Sequence, residues 1–252
     1  MSSIKNKSCI LTSYFTLKKH PQSGDPNNRI LGVDESGFVQ ANSHDYIKGF
    51  HNSVINKEID IVIFHDNLCK DYIKQYSNSK ISFVKVVESI YSNNDYRFFC
   101  YLDWLKDNNY ETIFMVDLAD VTVSLDPNDL QLGGDIFFCE DQGILDDYQF
   151  HATNYFEFHK YFKWENFQKF YDSGYNLLNM GVIGARYENA IRFLSLFCQE
   201  RIRAELPHLN INMPLGNYIA RKYFNKVYAG EPFCSEFKKY QKDRKDVYFI
   251  HK

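Results

Sequence analysis

Apolar positions in the first half of the chain follow two alternating spacings. Short runs in which most positions are apolar or β-favouring predict strands at Cys9–Thr16, Ile59–Phe64, Ile81–Val86 and Thr112–Val116. Segments with helical spacing lie between them. In Asp45–Asn56 the residues Tyr46, Ile47, Phe50, Val54 and Ile55 mark one face, and in Asp95–Asn108 so do Phe98, Tyr101, Leu102 and Leu105. Leu68–Tyr76 is a shorter segment of the same kind. Strand and helix alternating over short links predict βαβ units on a parallel sheet up to about residue 125. After Asp126-Pro127 the pattern is mixed. Strands are predicted near Asp135–Cys139 and Leu177–Ile183, helices near Glu188–Ala204 and Asn212–Phe224, and a last strand at Val247–Ile250. Pro26-Asn27-Asn28 and Ser92-Asn93-Asn94 predict turns, and Gln241–Asp246 predicts a charged connector. The fold class expected is α/β: a central, mainly parallel sheet flanked by helices, with a mixed second half.

Composition narrows the class further. The 252 residues are 44% hydrophobic and 17% aromatic, with 12 Gly and 6 Pro, which excludes collagen-like and disordered chains. A net charge of −3 offers no overall positive field for a polyphosphate backbone, so no nucleic-acid partner is expected. The longest apolar runs, such as Ile61 to Phe64, fall far short of the about 20 residues of a membrane span. Met1 to Lys19 lacks the apolar stretch of a secretory leader, so the expected compartment is the cytoplasm. The six cysteines are widely spaced with no Cys-x-x-Cys pair, and are expected to be reduced core residues.

Candidate chemistry gathers at predicted strand ends. The strand Thr112–Val116 runs directly into Asp117-Leu118-Ala119-Asp120, and ligands of open α/β sheets bind beyond the carboxyl ends of the strands. Two carboxylates there suit a hard divalent cation such as Mn²⁺ or Mg²⁺, which completes its shell from phosphates and water. A solvated turn is the competing reading. Glu140-Asp141 is a second acid pair at a strand end, with either acid placed to deprotonate an acceptor hydroxyl or to hydrogen-bond a sugar. Thr12, Ser13 and Tyr14 end the first strand, and His65-Asp66 ends the second. For Tyr14, ordinary aromatic packing competes with a ligand-facing role. The aromatic stretch from Tyr155 to Tyr171 reads as core packing or as a sugar-stacking platform. His151, His159 and His208 read as surface or core residues.

Several segments share an order with one family. Tyr96-Arg97-Phe98-Phe99-Cys100-Tyr101-Leu102 followed by Ile113-Phe114-Met115-Val116-Asp117-Leu118-Ala119-Asp120 resembles the helix and strand that carry the Asp-x-Asp motif of GT-A glycosyltransferases, nearest to the glycogenin-like family. Here the acids are spaced Asp-x-x-Asp. Asn179-Met180-Gly181-Val182 is similar to that family's Asn-x-Gly-Val strand, and Asn212-Met213-Pro214-Leu215-Gly216-Asn217 stands where it has Asp-Gln-x-Leu-x-Asn. Tyr248-Phe249-Ile250-His251-Lys252 resembles its late strand.

The resemblance implies a metal-dependent transferase that moves a sugar from a nucleotide diphosphate donor, UDP in particular, to a hydroxyl acceptor such as a glycan. It implies a single GT-A domain over 1–252, with a nucleotide-binding half at 1–125 and an acceptor and sugar half at 126–252. It further implies that Asp117, Asp120 and His251 hold Mn²⁺ (or Mg²⁺), and that Thr12, Ser13, Tyr14, Arg97, Asp117, Asn179, Gly181 and Lys252 bind the donor. The catalytic group would comprise Glu140, Asp141 and Asn212, with Asn212 in place of the family's acid and Met213 in place of its amide. These two differences leave sugar identity and stereochemistry open. Two alternatives are a sugar-nucleotidyltransferase and a non-catalytic glycan-binding module. The first expects a Gly-rich loop after the first strand, and Leu11–Lys19 has no Gly.

Overall fold

The all-apolar run after Thr112 forms the central strand of the sheet. The computed structural model describes residues 8–21, 32–131, 133–144, 174–205, 207, 209–237, 239, 241 and 243–252. The first half is β1 (Ser8–Tyr14), α1 (His44–Val54), β2 (Asp60–His65), α2 (Lys70–Tyr76), β3 (Ile81–Lys85), α3 (Asn93–Leu105) and β4 (Thr112–Val116). A short β5 (Val121–Val123) follows. The second half contributes β6 (Ile136–Ile144), β7 (Asn176–Arg186), α4 (Tyr187–Arg203), α5 (Asn212–Tyr223), β8 (Val227–Ala229) and β9 (Phe249–His251).

Seven strands hydrogen-bond in the order β3-β2-β1-β4-β7-β6-β8. β1 pairs in parallel with β2 and β4, and β2 with β3. β7 is antiparallel to both β4 and β6, and β8 is parallel to β6, so β7 alone runs against the others. This is the α/β architecture expected from the alternation.

Each face of the sheet carries a core, because residues on a strand alternate sides. Cys9, Leu11 and Phe15 belong to the core under α3, α4 and α5, with Phe98, Phe193 and Phe197. Ile10 and Tyr14 belong to the opposite core under α1 and α2, with Phe50, Val54 and Tyr72. The amphipathic pattern of α1 is realised: Tyr46, Ile47, Phe50, His51 and Val54 are buried. No helix among the described residues is long and apolar enough to cross a membrane.

Three local differences from the sequence expectation matter. The Ser92-Asn93-Asn94 cluster is a helix start, in which Ser92 Oγ accepts from the Asp95 N–H at 3.3 Å and caps α3. The last strand lies two positions later at its start than predicted, so His251 enters a ladder with β5, paired opposite Val121. Cys69 is exposed rather than buried: its Sγ caps α2 by accepting from the Tyr72 N–H, while the other five free cysteines are buried.

Candidate active site

β4 delivers Asp117 to the carboxyl end of the parallel strands. The Asp117 N–H donates to the Gly181 carbonyl at 2.8 Å, so the β4–β7 pairing extends one residue past the strand. Asp117 Oδ1 forms an ion pair with the Arg97 guanidinium. Arg97 comes from the start of α3, is buried, and also donates to the Met180 carbonyl at 2.9 Å. Residues 118–120 then turn, and β5 pairs with β9 so that His251 stands beside Asp120. His251 Nε2 is 3.5 Å from Asp120 Oδ2, and the Lys252 N–H donates to the Asp120 carbonyl at 3.0 Å.

One ligand atom from each of Asp117, Asp120 and His251 lies within 4.8 Å of the others. Both His251 ring nitrogens are buried without a hydrogen-bond partner. Burial disfavours the charged imidazole, but the Asp120 carboxylate outweighs it and pushes His251 up to about 10. Burial likewise works against ionised Asp120, and the His251 charge reverses the outcome and lowers it. A glycine is required opposite this pair. A Cβ on Gly181 would overlap the His251 ring and come within 2.8 Å of Asp117 Oδ2. Two carboxylates, a buried imidazole paired with one of them and a space that a single methyl would fill together fit a hard divalent cation, which would take the place of the imidazole proton.

These groups line one side of a cleft of about 370 Å³. The other side is neutral and rich in amides: Asn179, Asn210, Asn212 and Met213, with Asn93 and Asn94 from the start of α3. Asn179 links the two sides. Its Oδ1 accepts from the Gly181 N–H at 2.7 Å, and its Nδ2 donates to Asp141 Oδ2 at 2.9 Å. Asn212 opens α5, is 4% exposed, and its Oδ1 has no hydrogen-bond partner. α5 approaches β7 closely because Gly216 has no side chain; a Cβ there would collide with the Met180 thioether. Asn217 completes the junction, bonding the Leu178 N–H and C=O at 2.9 Å each.

Of the residues singled out from sequence, Ser13, Arg97, Asp117, Asp120, Asp141, Asn179, Gly181, Asn212 and His251 border this cleft. Thr12, Tyr14, Glu140 and Lys252 do not. Thr12 and Tyr14 sit on the face of β1 turned towards α1. Tyr14 packs on Tyr46 at 4.7 Å, donates to the Gln40 carbonyl at 2.6 Å and accepts from the Ser43 N–H at 2.9 Å. Glu140 Oε1 accepts from Asn176 Nδ2 at 2.6 Å on the β6–β7 surface. The Lys252 ammonium lies over Gly49 of α1, 3.4 Å from where a Cβ would stand. His65 and Asp66 hold loops: His65 Nδ1 accepts from the Leu68 N–H, and Asp66 from the Thr16 and Leu17 N–H groups. The aromatic stretch from Tyr155 to Tyr171, together with His151, His159 and His208, lies outside the described residues.

His20 was not foreseen. It borders the cleft and feels both Asp120 and Arg97, and burial holds it down to about 4. Its segment has no periodic pattern that would mark it in the sequence.

No protein-family model matches the sequence, and no curated protein matches it. Solved structures do match in fold. The galactosyltransferase LgtC in complex with donor and acceptor sugar analogues superposes with a TM-score of 0.50 at 12% identity, over 96% of this chain and 86% of that one. An active-site mutant of LgtC gives 0.50 at 13% identity with the same coverage. The apo structure of the bifunctional glycosyltransferase WbbM gives 0.50 at 12% identity, over all of this chain and 46% of that one. The fold is thus the GT-A-like one of these glycosyltransferases.

Proposed function

We propose that this protein is a metal-dependent glycosyltransferase that moves a sugar from a nucleotide diphosphate sugar to a hydroxyl acceptor such as a glycan. The observation that carries the reading is the convergence of Asp117, Asp120 and His251 with Arg97 at the carboxyl end of β4, beside a wall of neutral amides. Diphosphate recognition needs cations, and sugar recognition needs groups that donate and accept; the cleft offers each on its own side. A bound Mn²⁺, held by Asp117, Asp120 and His251, would supply Lewis-acid neutralisation of the leaving diphosphate.

The chain's own residues have distinct tasks in this reading. Arg97 orients Asp117 and adds a fixed positive charge facing the phosphates. Asn179 fixes the direction of Asp141, whose carboxylate accepts a hydrogen bond from a sugar or acceptor hydroxyl. Asn212 accepts one more at its unpartnered Oδ1. The buried setting strengthens each of these contacts by excluding water. The carrier proposed is UDP, which rests on the resemblance of the α3 and β4 segments.

The test is calorimetric titration of UDP, GDP and dTDP with and without Mn²⁺ into wild type, Asp120→Ala and His251→Ala. Mn²⁺-dependent UDP binding that both substitutions abolish is expected. GDP binding with no response to UDP overturns the choice of carrier. A His251→Ala protein that keeps wild-type metal dependence while Asp120→Ala loses it overturns the shared cation site.

A further inference from the structure

The start of α3 and the start of α5 face each other across the cleft, and a buried ion pair behind them ties the two together. Asp95, in the first turn of α3, and Arg201, in the last turn of α4, are both fully buried, with Arg201 Nε donating to Asp95 Oδ2 at 2.7 Å. The same Asp95 oxygen accepts from the Ile211 N–H at 3.3 Å, one residue before α5. Arg201 spends another nitrogen on the segment between α4 and α5, donating from one NH₂ group to the Leu209 carbonyl at 2.8 Å and to the Pro207 carbonyl at 3.4 Å. Its guanidinium lies over the Tyr91 ring, just before the α3 cap, at 4.7 Å. Ser92, which caps α3, donates from its hydroxyl to Asn210 Oδ1 at 3.4 Å.

Neither charge touches the cleft, yet every neighbour of the pair leads to it. Asn93, Asn94 and Arg97 follow from one side, and Asn210, Asn212 and Met213 from the other. A backbone segment between two helices carries carbonyls that no helix satisfies, and Arg201 satisfies two of them while Asp95 takes the next free N–H. A buried charge pair fixes one geometry because separation leaves each charge uncompensated.

We propose that Asp95 and Arg201 are positioning residues that set the amide wall of the cleft against the α3 wall, and so control sugar transfer without contributing to nucleotide binding. This rests on the glycosyltransferase reading of the site. The cation corner is anchored on the β4, β5, β7 and β9 ladders, and Arg97, which reaches it from α3, is itself tied to β7 through the Met180 carbonyl as well as to Asp117. Loosening the pair therefore displaces Asn210, Asn212 and Met213 while Asp117, Asp120 and His251 stay in place.

The test compares wild type, Asp95→Asn and Arg201→Lys with Leu194→Ala, a buried α4 core residue whose loss destabilises the fold by a different route. UDP–Mn²⁺ binding, kcat and KM for hydrolysis of UDP-hexoses, and amide hydrogen exchange over residues 205–215 are read on each. Both pair variants are expected to bind UDP–Mn²⁺ within about twofold of wild type, to lose about a hundredfold in kcat, the scale of a misplaced reacting group, and to exchange faster in 205–215 than in β1 or β4. Leu194→Ala is expected to leave kcat near wild type at temperatures where it is folded. Equal kcat losses in Leu194→Ala and the pair variants overturn the proposal, as does unchanged kcat and local exchange in folded pair variants. If wild type turns over no nucleotide sugar, the proposed function fails, and the exchange measurement alone decides whether the pair holds 205–215.

Discussion

The two sides of the cleft are built by different means. The cation corner draws Asp117, Asp120 and His251 from the ends of strands, and Gly181 from the middle of β7, whose ladders continue into the sheet or into the β5–β9 pair. Apart from Asn179 on β7, the amide wall hangs from two helix starts and the segment before α5, joined by single hydrogen bonds and one ion pair. Charge is concentrated where backbone pairing is densest, and neutral donors and acceptors where it is sparse. A site that must hold like charges close together needs rigid backbone, since the two carboxylates repel unless cations lie between them. A site that reads hydroxyl groups needs only direction, and single side chains supply that.

The comparison can be broken most sharply by taking away divalent cations. EDTA is expected to abolish turnover of nucleotide sugars and metal-dependent UDP binding, and to leave the far-ultraviolet circular dichroism spectrum unchanged, because the Arg97–Asp117 and His251–Asp120 pairs hold the corner together without metal. Loss of helical signal on chelation would instead make the cation part of the fold.

Gly181→Ala comes next. The added methyl occupies the space between His251 and Asp117, so metal-dependent UDP binding should fall by about a hundredfold, with a stability cost of about 1–3 kcal/mol from overpacking. Mn²⁺ titration followed by calorimetry and a thermal melt read the two effects separately.

Asn212→Ala probes the other side. Removing a single hydrogen-bonding amide should lower kcat/KM for the nucleotide sugar by about tenfold, corresponding to about 1–2 kcal/mol, with UDP–Mn²⁺ affinity unchanged. Equal losses in UDP affinity would show that the two sides do not act separately.

The smallest effect is expected from Tyr14→Phe. The hydroxyl bonds backbone at Gln40 and Ser43 and lies beside Tyr72, away from the cleft, so its removal should cost about 1 kcal/mol of stability in a denaturant titration and leave UDP binding as in wild type. A binding defect without a stability change would return Tyr14 to the donor site.

The parallel half was legible because its pattern is strong at every level. Apolar runs, helical spacing and a carboxylate pair directly after β4 agree, and the strand-end rule places those acids correctly. His251 was legible only through resemblance, since nothing in Tyr248–Lys252 taken alone reports a partner near Asp120. On β1 the strand pattern by itself separates the candidates. In Leu11-Thr12-Ser13-Tyr14, alternation puts Ser13 on the face of Leu11 and Phe15, and Thr12 and Tyr14 on the other, so only Ser13 was in line for the cleft. β8 was invisible because Val227-Tyr228-Ala229 is too short for periodicity, and its strand state comes from pairing with β6. The Asp95–Arg201 pair was invisible for a related reason: helix spacing reports which positions face inward, and a charge at such a position looks like a break in the pattern until its partner is seen.

The β5–β9 ladder also has a consequence in time. His251 reaches Asp120 only after β9 docks against β5, and more than half of the chain separates the two residues. Closing so long a loop is entropically costly and is recovered only when the surrounding strands are already in place. A nascent or partly folded chain therefore presents isolated carboxylates, which bind divalent ions weakly and without a cleft. If Asp120 and His251 share a cation as proposed, competence to hold it arrives as one of the last events of folding, and metal affinity then reports the completed fold.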